Sequence, residues 1–175
     1  MDLKKIKIFS IFMIFAFCFI NHFLYDFFPC FLTSVFFPVN ESIWEHMKML
    51  VSSVIMWEFI LFFVFKKNNY HFNNFLLNVL CTCICCVFIF LSIYFPFYYL
   101  FGDVFVLNVI FLFISIFLSV NIGFSILNKR DYNLELFSFI LMIFIYVIFI
   151  IFTYYPPRSF LFVDPRNGGY GIIPD

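Results

Sequence analysis

Residues 39–48, with the sequence VNESIWEHMK, form the densest group of polar side chains in the chain. At about 100° of rotation per helical residue, Glu41, Glu45 and Lys48 would lie on one face of a helix. Two carboxylates at this spacing repel unless a proton, a metal ion or a basic side chain lies between them. We therefore expect Lys48, Arg158 of the C-terminal tail or a metal ion to neutralise the pair.

A divalent metal is one candidate, because carboxylates and imidazoles are common ligands of such ions. Glu41 and Glu45 would provide two ligands. Other residues that could complete a mononuclear site are His22, Asp26 and Asp164. His46 follows Glu45 directly, so on a helix it points about 100° away and is expected to contact a neighbouring helix. A polar cap of paired charges without a metal is the preferred interpretation.

Helix capping explains part of the same motif. Residues 42–45, SIWE, have the pattern of a capping box, in which a serine hydroxyl and a glutamate carboxylate bond to free amides at a helix start. Glu41 would be stabilised near the positive end of that helix, and Trp44 is typical of the interface between membrane and water. The motif therefore predicts a helix start, whether or not it has a further function.

Glu58 is the second position at which the sequence indicates chemistry. It lies inside a long apolar segment, where a carboxylate must be protonated, paired or hydrated. Two interpretations are open. Glu58 is either a functional group of a transport pathway or a protonated glutamate that bonds to Asn78, Asn121 or a serine of another segment.

The composition predicts the surroundings that position these residues. The 175 residues are 65% hydrophobic and 11% charged, with a mean hydropathy of +1.07. This is more apolar surface than a soluble domain of the same length could bury, so a lipid bilayer is the expected surrounding. The formal net charge is zero and long basic runs are absent from the sequence, which argues against nucleic-acid binding.

Five segments are long enough to cross about 30 Å of hydrocarbon, which predicts an all-α bundle of five transmembrane helices in a single membrane domain. The expected spans are 6–24, 47–65, 75–95, 104–127 and 134–155. One side of this arrangement carries most of the basic residues, namely Lys4, Lys5, Lys7, Lys66, Lys67, Lys129 and Arg130. Basic loops face the cytoplasm, so we expect the N-terminus inside, the C-terminus outside and residues 39–48 at the outer surface.

Two further segments belong to that outer surface. Residues 27–39 are apolar, are interrupted by Pro29 and Pro38 and are too short to cross the bilayer, which indicates an interfacial or re-entrant segment. In the tail, 156–175, two apolar runs flank a group of turn residues. This pattern predicts a short β-hairpin across the outer mouth of the bundle, where Arg158 would find acidic partners.

Three stretches carry a family resemblance: HFLYD at 22–26, FFPVNESIWEHMK at 36–48 and FTYYPPRSFLFVDPRNGGYGI at 152–172. In this order they resemble a family of small bacterial integral membrane proteins that is catalogued only as a domain of unknown function. The match is specific at N-E-S-x-W-E-H-x-K and at P-P-R…D-P…G-x-Y-G. The resemblance implies a multi-pass membrane protein and transfers no catalytic or binding residue.

Three functions are considered, in order of preference. The first is a non-enzymatic component of the cell membrane, with another membrane protein or a second copy of the chain as partner and with no cofactor. The second is a membrane-embedded, metal-dependent enzyme that uses Glu41 and Glu45 with His22 or His46. The third is a small transporter that uses Glu58. Further candidate binding residues are Asp26, Lys48, Arg158 and Asp164.

Overall fold

The computed structural model describes residues 2–172, which form six helices and no strand. The helices are α1 (Leu3–Phe27), α2 (Phe31–Phe36), α3 (Ile43–Lys67), α4 (Phe75–Phe101), α5 (Phe105–Phe124) and α6 (Glu135–Tyr154). All except the short α2 are long and apolar enough to cross a membrane. The prediction of an all-helical chain with five such helices is therefore confirmed.

Two of the helix ends differ from the sequence prediction for identifiable reasons. Helix α3 begins at Ile43, before the membrane span expected from 47 but where the capping pattern at 42–45 predicts a helix start, because the hydroxyl of Ser42 accepts a hydrogen bond from the amide of Glu45, 3.4 Å away. Helix α4 continues through Pro96, which lacks a backbone donor but is compatible with one more turn. The helix ends before Gly102, whose φ of 73° favours glycine.

One end of the bundle, here called the basic end, is formed by the loops 68–74 and 125–134. The side-chain amide of Asn74 joins these loops by donating to the carbonyl groups of Ile126, Lys129 and Arg130. The first turn of α1 also belongs here, because Lys4 lines a small groove together with the last residues of α5. Most of the lysine and arginine residues therefore lie at one end of the bundle.

The opposite end, here called the motif end, contains the start of α3, the last turns of α1 and α6, and the tail. The tail crosses this end and is fixed to α3, because the amide of Trp44 donates to the carbonyl of Leu161 at 2.9 Å. The Trp44 indole packs against three aromatic rings, those of Phe149, Phe152 and Phe162. Trp44 thus holds the tail on the bundle as part of an aromatic cluster.

The predicted β-hairpin of the tail is wrong for the residues that the structure describes. Only an isolated bridge between Val163 and Tyr170 forms, and the preceding apolar run folds into turns instead of a strand. The amide of Phe162 donates to the carbonyl of Ser159 at 3.0 Å, which bends the chain where a strand would need to be extended. The tail therefore has the turn of a hairpin without its ladder.

Helix α3 is the most buried of the five long helices, because 61% of an apolar stretch of 18 residues within it lies inside the protein. It packs between α1 and α4, and it carries the buried side chains of Glu45, Lys48 and Glu58. Three of the residues that the sequence indicated for chemistry therefore lie on the helix whose surroundings are most completely provided by protein. The partners of these three side chains on other helices come from α2, α4 and α6.

Candidate functional site

The first part of the site is a fully buried group formed by Glu45, Lys48, Thr153 and Ser34, here called the Lys48 cluster. The ammonium of Lys48 lies 2.6 Å from Glu45 Oε2 and donates to the Ser34 carbonyl at 2.7 Å and to Thr153 Oγ1 at 2.9 Å. Thr153 Oγ1 in turn donates to Glu45 Oε1 at 2.7 Å. All three ammonium hydrogens and both carboxylate oxygens therefore have partners.

The Lys48 cluster joins three helices, because Ser34 belongs to α2, Thr153 to α6 and the charged pair to α3. Lys48, one of the three partners expected for the Glu41–Glu45 pair, pairs with Glu45 and not with Glu41. The capping box forms only in half, since Glu45 Oε2 accepts from the amide of Val39 at 3.2 Å while the amide of Ser42 donates to Asn40 Oδ1 at 2.9 Å. This cluster is closed, and its geometry indicates a structural role.

Glu41 does not share a helical face with Glu45, and that prediction is wrong. Glu41 precedes the N-cap residue Ser42, so the rotation of 100° per residue does not apply to it. The backbone there is instead held by Asn40, whose side-chain amide donates to the carbonyl of Gly171 at 2.8 Å. The two carboxylates of the motif consequently have separate sets of partners.

Glu41 meets two histidines and an arginine. Its Oε2 atom lies 3.5 Å from Nε2 of His22 on α1 and 3.6 Å from Nε2 of His46 on α3, and its Oε1 atom lies 2.9 Å from Nη2 of Arg166. We call His22, Glu41 and His46 the His–Glu cluster. His46 does contact a neighbouring helix, as expected, because its ring lies 5.3 Å from that of His22. The arginine is Arg166 rather than the expected Arg158.

Charge favours the ionised form of Glu41. Partial burial works against ionisation, but the contact with His22 and the charges of His46, His22 and Arg166 outweigh it and lower the pKa of Glu41. Arg166 is 67% exposed, so its charge is well hydrated and its ion pair with Glu41 is screened by solvent. The remaining contacts of Glu41, those with the histidines, face the interior.

The tautomer of His46 follows from its hydrogen bond. Its Nδ1 atom lies 2.9 Å from the carbonyl oxygen of Ser42, which can only accept, so Nδ1 carries a proton. In the neutral ring, Nε2 then has a lone pair that points toward the Glu41 carboxylate. Two lone pairs facing each other require a proton or a metal ion between them. Fixing one histidine nitrogen by a carbonyl is also the usual way in which proteins orient a metal ligand.

The spacing in the His–Glu cluster suits a metal ion. One ligand atom from each of the three residues lies within 4.8 Å of the others. Ligands about 2.1 Å from a tetrahedral ion are about 3.4 Å apart, which is close to the 3.5 Å and 3.6 Å separations here. Two histidines and one carboxylate form a ligand set of catalytic zinc and of non-haem iron, both of which leave positions open.

The His–Glu cluster lies in the wall of a cavity of about 510 Å³. The cavity is enclosed by α1, α3, α4, α5 and the tail. Its other polar lining residues, which sequence analysis did not select, are Tyr94, Tyr98, Asp103, Asn108 and Arg166. They come from segments without polar periodicity, so only the packing of α4, α5 and the tail brings them to the cluster.

The remaining predicted site residues lie elsewhere. Asp26 and Arg158 are exposed and do not line the cavity. Asp164 is buried and shapes the tail, because it accepts from the amide of Arg166 at 2.9 Å and its backbone pairs with Gly169. Asp164 therefore helps to place Arg166 at Glu41. Whether any of these residues takes part in binding remains a prediction.

Glu58 forms a separate polar site deep in the bundle. Its Oε2 atom accepts a hydrogen bond from the side chain of Asn78 at 3.3 Å, which is one of the contacts that the sequence predicted. Asn121 instead donates to the carbonyl of Phe117 on its own helix. Glu58 is thus explained in part by an interhelical hydrogen bond, and its proposed role in transport remains a prediction.

Comparison with known proteins places the chain in a family but gives no activity. No curated protein and no solved structure matches it. A family of unknown function, DUF6512, matches residues 1–172, which include α1, the motif at 39–48, the His–Glu cluster and the tail as far as the structure describes it. Because the match extends over nearly the whole length, the chain belongs to the DUF6512 family.

Proposed function

We propose that this protein is a multi-pass protein of the cell membrane that binds one divalent transition-metal ion at His22, Glu41 and His46 and uses it in chemistry on a substrate in the adjoining cavity. The observation that carries the proposal is the convergence of two imidazole nitrogens on one carboxylate oxygen in the cavity wall. Of the three functions considered from sequence, this geometry favours the metal-dependent one.

The alternative of a purely structural polar cap fits the Lys48 cluster better than the His–Glu cluster. In the Lys48 cluster the distances are 2.6–2.9 Å and every charged atom is paired. In the His–Glu cluster the nitrogen–oxygen distances exceed those of a charge-assisted hydrogen bond, about 2.7–2.9 Å, by more than half an ångström. A metal ion between the three residues would account for that spacing.

The expected chemistry follows from the ligand set. His22, Glu41 and His46 would hold a zinc ion and leave a position open, and the ion would then supply an activated water and polarise a carbonyl or phosphoryl oxygen of the substrate. Arg166 is close enough to Glu41 to stabilise an anion beside such a site. The cavity provides the space for a substrate on the open side of the cluster.

The orientation in the membrane is also part of the proposal. Five apolar helices support insertion in a bilayer. The basic end holds most of the lysine and arginine residues, so the positive-inside rule favours a cytoplasmic basic end and an outer motif end. The His–Glu cluster would then lie near the outer surface, with the N-terminus inside and the C-terminus outside.

Metal content is the direct test. Protein purified in mild detergent with a tag that lacks histidine is reconstituted with zinc, iron or manganese, dialysed and measured by elemental analysis. We expect about one ion per chain in the unaltered protein and at least a tenfold loss of affinity in Glu41→Gln, His22→Gln and His46→Gln, because removal of a ligand breaks the set.

Two matched variants serve as controls. His71→Gln removes the remaining histidine, which is exposed in the loop between α3 and α4, and Asp26→Asn removes an exposed carboxylate at the end of α1. Both should retain the ion. The proposal fails if the unaltered protein retains no ion, or if the cluster variants bind as much as His71→Gln does.

A further inference from the structure

Helices α1 and α5 are in aromatic contact on the basic side of the cavity that adjoins the His–Glu cluster. The rings of Phe15 and Phe113 meet there at 5.3 Å, edge to face, and Phe12 adds a second contact to Phe113 at 6.1 Å. The residues of α1 and α5 that line the cavity all lie on the motif side of this contact: Cys18, Phe19, His22, Phe105, Asn108, Val109 and Leu112. Aromatic rings therefore join the two helices on the basic side of the cavity, and on the motif side the same helices form part of the cavity wall.

The lining of the cavity includes exposed residues in two places. At the motif end these include Tyr98 and Arg166. Between α1 and α5 they are Phe19 and Phe105, which are 42% and 75% exposed. Because these apolar rings lie on helices that are suited to a bilayer, a side opening between them would face lipid rather than water.

The two ends of the cavity differ in polarity. Toward the tail it is lined by the His–Glu cluster and by Arg166, and a bound divalent ion would make this end strongly positive. Away from that end its walls are apolar, with Met49, Leu50, Phe90 and Leu112. A stacked series of rings runs along α4 from Phe90 through Tyr94 to Tyr98, toward the motif end. A ligand that matches both ends has an anionic group and an apolar body.

Asp103 is the acidic residue that opposes this assignment, and its position limits the objection. It lines the cavity at the start of α5, where its Oδ1 atom accepts a hydrogen bond from Asn108 at 2.6 Å and the residue is exposed. Its charge would repel an anion from the α5 side. The anionic group is therefore directed to the opposite side, toward His22, His46 and Arg166.

We infer that the substrate is a bilayer lipid with an anionic headgroup, which enters sideways between Phe19 and Phe105 and places its headgroup oxygen at the His–Glu cluster. The inference rests on the proposed metal function and adds the substrate class. A water-soluble phosphate or carboxylate would satisfy the positive end but would leave the apolar walls and the side opening unused. A neutral lipid would match the apolar walls and the side opening but would leave the positive end without an anionic partner.

Blocking the cavity tests the inference. Val109 lines the cavity on α5, and Val147 is an exposed residue of α6 that does not line it. Val109→Trp fills the cavity, whereas Val147→Trp adds the same side chain to the outer surface. Zinc-loaded protein is titrated with short-chain phosphatidic acid, short-chain diacylglycerol or glycerol 3-phosphate, and bound ligand is counted by native mass spectrometry.

We expect saturable binding of one phosphatidic acid, at least tenfold weaker binding of the two other ligands, and at least a tenfold loss in Val109→Trp but not in Val147→Trp. Val109→Phe, a smaller change, should give an intermediate loss and guards against misfolding of the tryptophan variant. Equal binding by Val109→Trp and Val147→Trp, or equal binding of diacylglycerol or glycerol 3-phosphate, would overturn the inference.

The metal content of the same variants separates the two proposals. Val109→Trp should retain the zinc ion, because Val109 is not a ligand. If the ion is present and lipid binding fails, the lipid inference is wrong and the metal function stands. If the ion is absent from both the unaltered protein and Val109→Trp, the metal function is wrong. The same lipid titration of metal-free protein then decides the lipid inference: weaker binding by Val109→Trp than by Val147→Trp supports it, and equal binding overturns it.

Discussion

Glu41 and Glu45 lie in one motif of the sequence and have opposite surroundings. Glu45 is 1% exposed, and its two oxygens are taken by Lys48, Thr153 and the backbone. Glu41 is 19% exposed at its side chain and faces the cavity, with histidine nitrogens at 3.5 Å and 3.6 Å. One carboxylate is closed off by its partners, and the other is held open.

The difference shows what each glutamate is suited to do. A buried charge whose partners are complete adds rigidity and has no capacity left for a ligand. The Oε2 atom of Glu41, whose histidine neighbours lie at 3.5 Å and 3.6 Å, retains that capacity. The His–Glu cluster also contains a second unsatisfied group: the Nδ1 atom of His22 is buried without a hydrogen-bond partner among residues 2–172. One motif thus contains a closed ion pair at Glu45 and, under the proposed function, a ligand residue at Glu41.

The largest expected effect on stability comes from breaking the ion pair of the Lys48 cluster. Lys48→Met leaves the Glu45 carboxylate buried without its counter-ion, and breaking such a pair costs about 3–5 kcal/mol. We expect a loss of this size in the free energy of unfolding, measured by titration with a denaturing detergent. Adding Glu45→Gln should recover about 2 kcal/mol, because the unpaired charge is then removed. A single variant as stable as the unaltered protein would contradict the closed-cluster interpretation.

The sequence predicted this pairing better than it predicted the open cluster. Glu45 and Lys48 are three residues apart on one helix, so helical periodicity was sufficient. Apart from His46, the partners of Glu41 are His22 on α1, 19 positions away, and Arg166 in the tail, 125 positions away, and no local pattern connects residues at such separations. Arg166 was missed because the tail was interpreted as a hairpin that would present Arg158.

The fold was predictable to the extent that it depends on apolar length. Five long hydrophobic segments required five helices, and the structure contains all five. Their exact ends were not predictable from hydropathy, because Ser42 and Gly102 act through backbone geometry and α4 tolerates Pro96. The tail depends on individual turns and on contacts with Trp44, which a pattern of alternating residues does not encode.

An intermediate effect on stability is expected at the point where the tail packs against α6, between the two clusters. Gly171 has a φ of 65°, and a Cβ atom there would lie 2.8 Å from the carbonyl of Thr153, the residue whose side chain bonds to Glu45. Gly171→Ala should therefore lower the free energy of unfolding by about 2–3 kcal/mol, through left-handed strain and overlap together. The same detergent titration measures it.

Gly168→Ala is the matched control for this variant. Gly168 has a similar φ of 73°, but a Cβ atom there would meet nothing within 4 Å. Only the backbone strain remains, and we expect a loss of about 1–2 kcal/mol. If the two alanine variants were equally stable, the close packing of the tail on α6 would have no energetic role, and the tail would not connect the two clusters.

The smallest effect on stability is expected in the His–Glu cluster. In metal-free protein near pH 7, Glu41→Gln should cost less than about 1 kcal/mol, because its partners are partly hydrated. The pKa of Glu41 is lowered, so the folded state binds its proton less readily than the unfolded state does. Its contribution is therefore complete above the ordinary pKa of 4.5 and is lost as the pH falls through the lowered value.

The difference in unfolding free energy between the unaltered protein and Glu41→Gln should consequently begin to shrink below about pH 4.5 and disappear once the pH is below the lowered pKa of Glu41. Detergent titrations from pH 7 downward measure it. A loss of several kcal/mol at pH 7 would instead show that Glu41 is as structural as Glu45. A small loss of stability together with a large loss of metal affinity is the combination that a binding residue requires, because only such a residue can be removed without harming the fold that carries it.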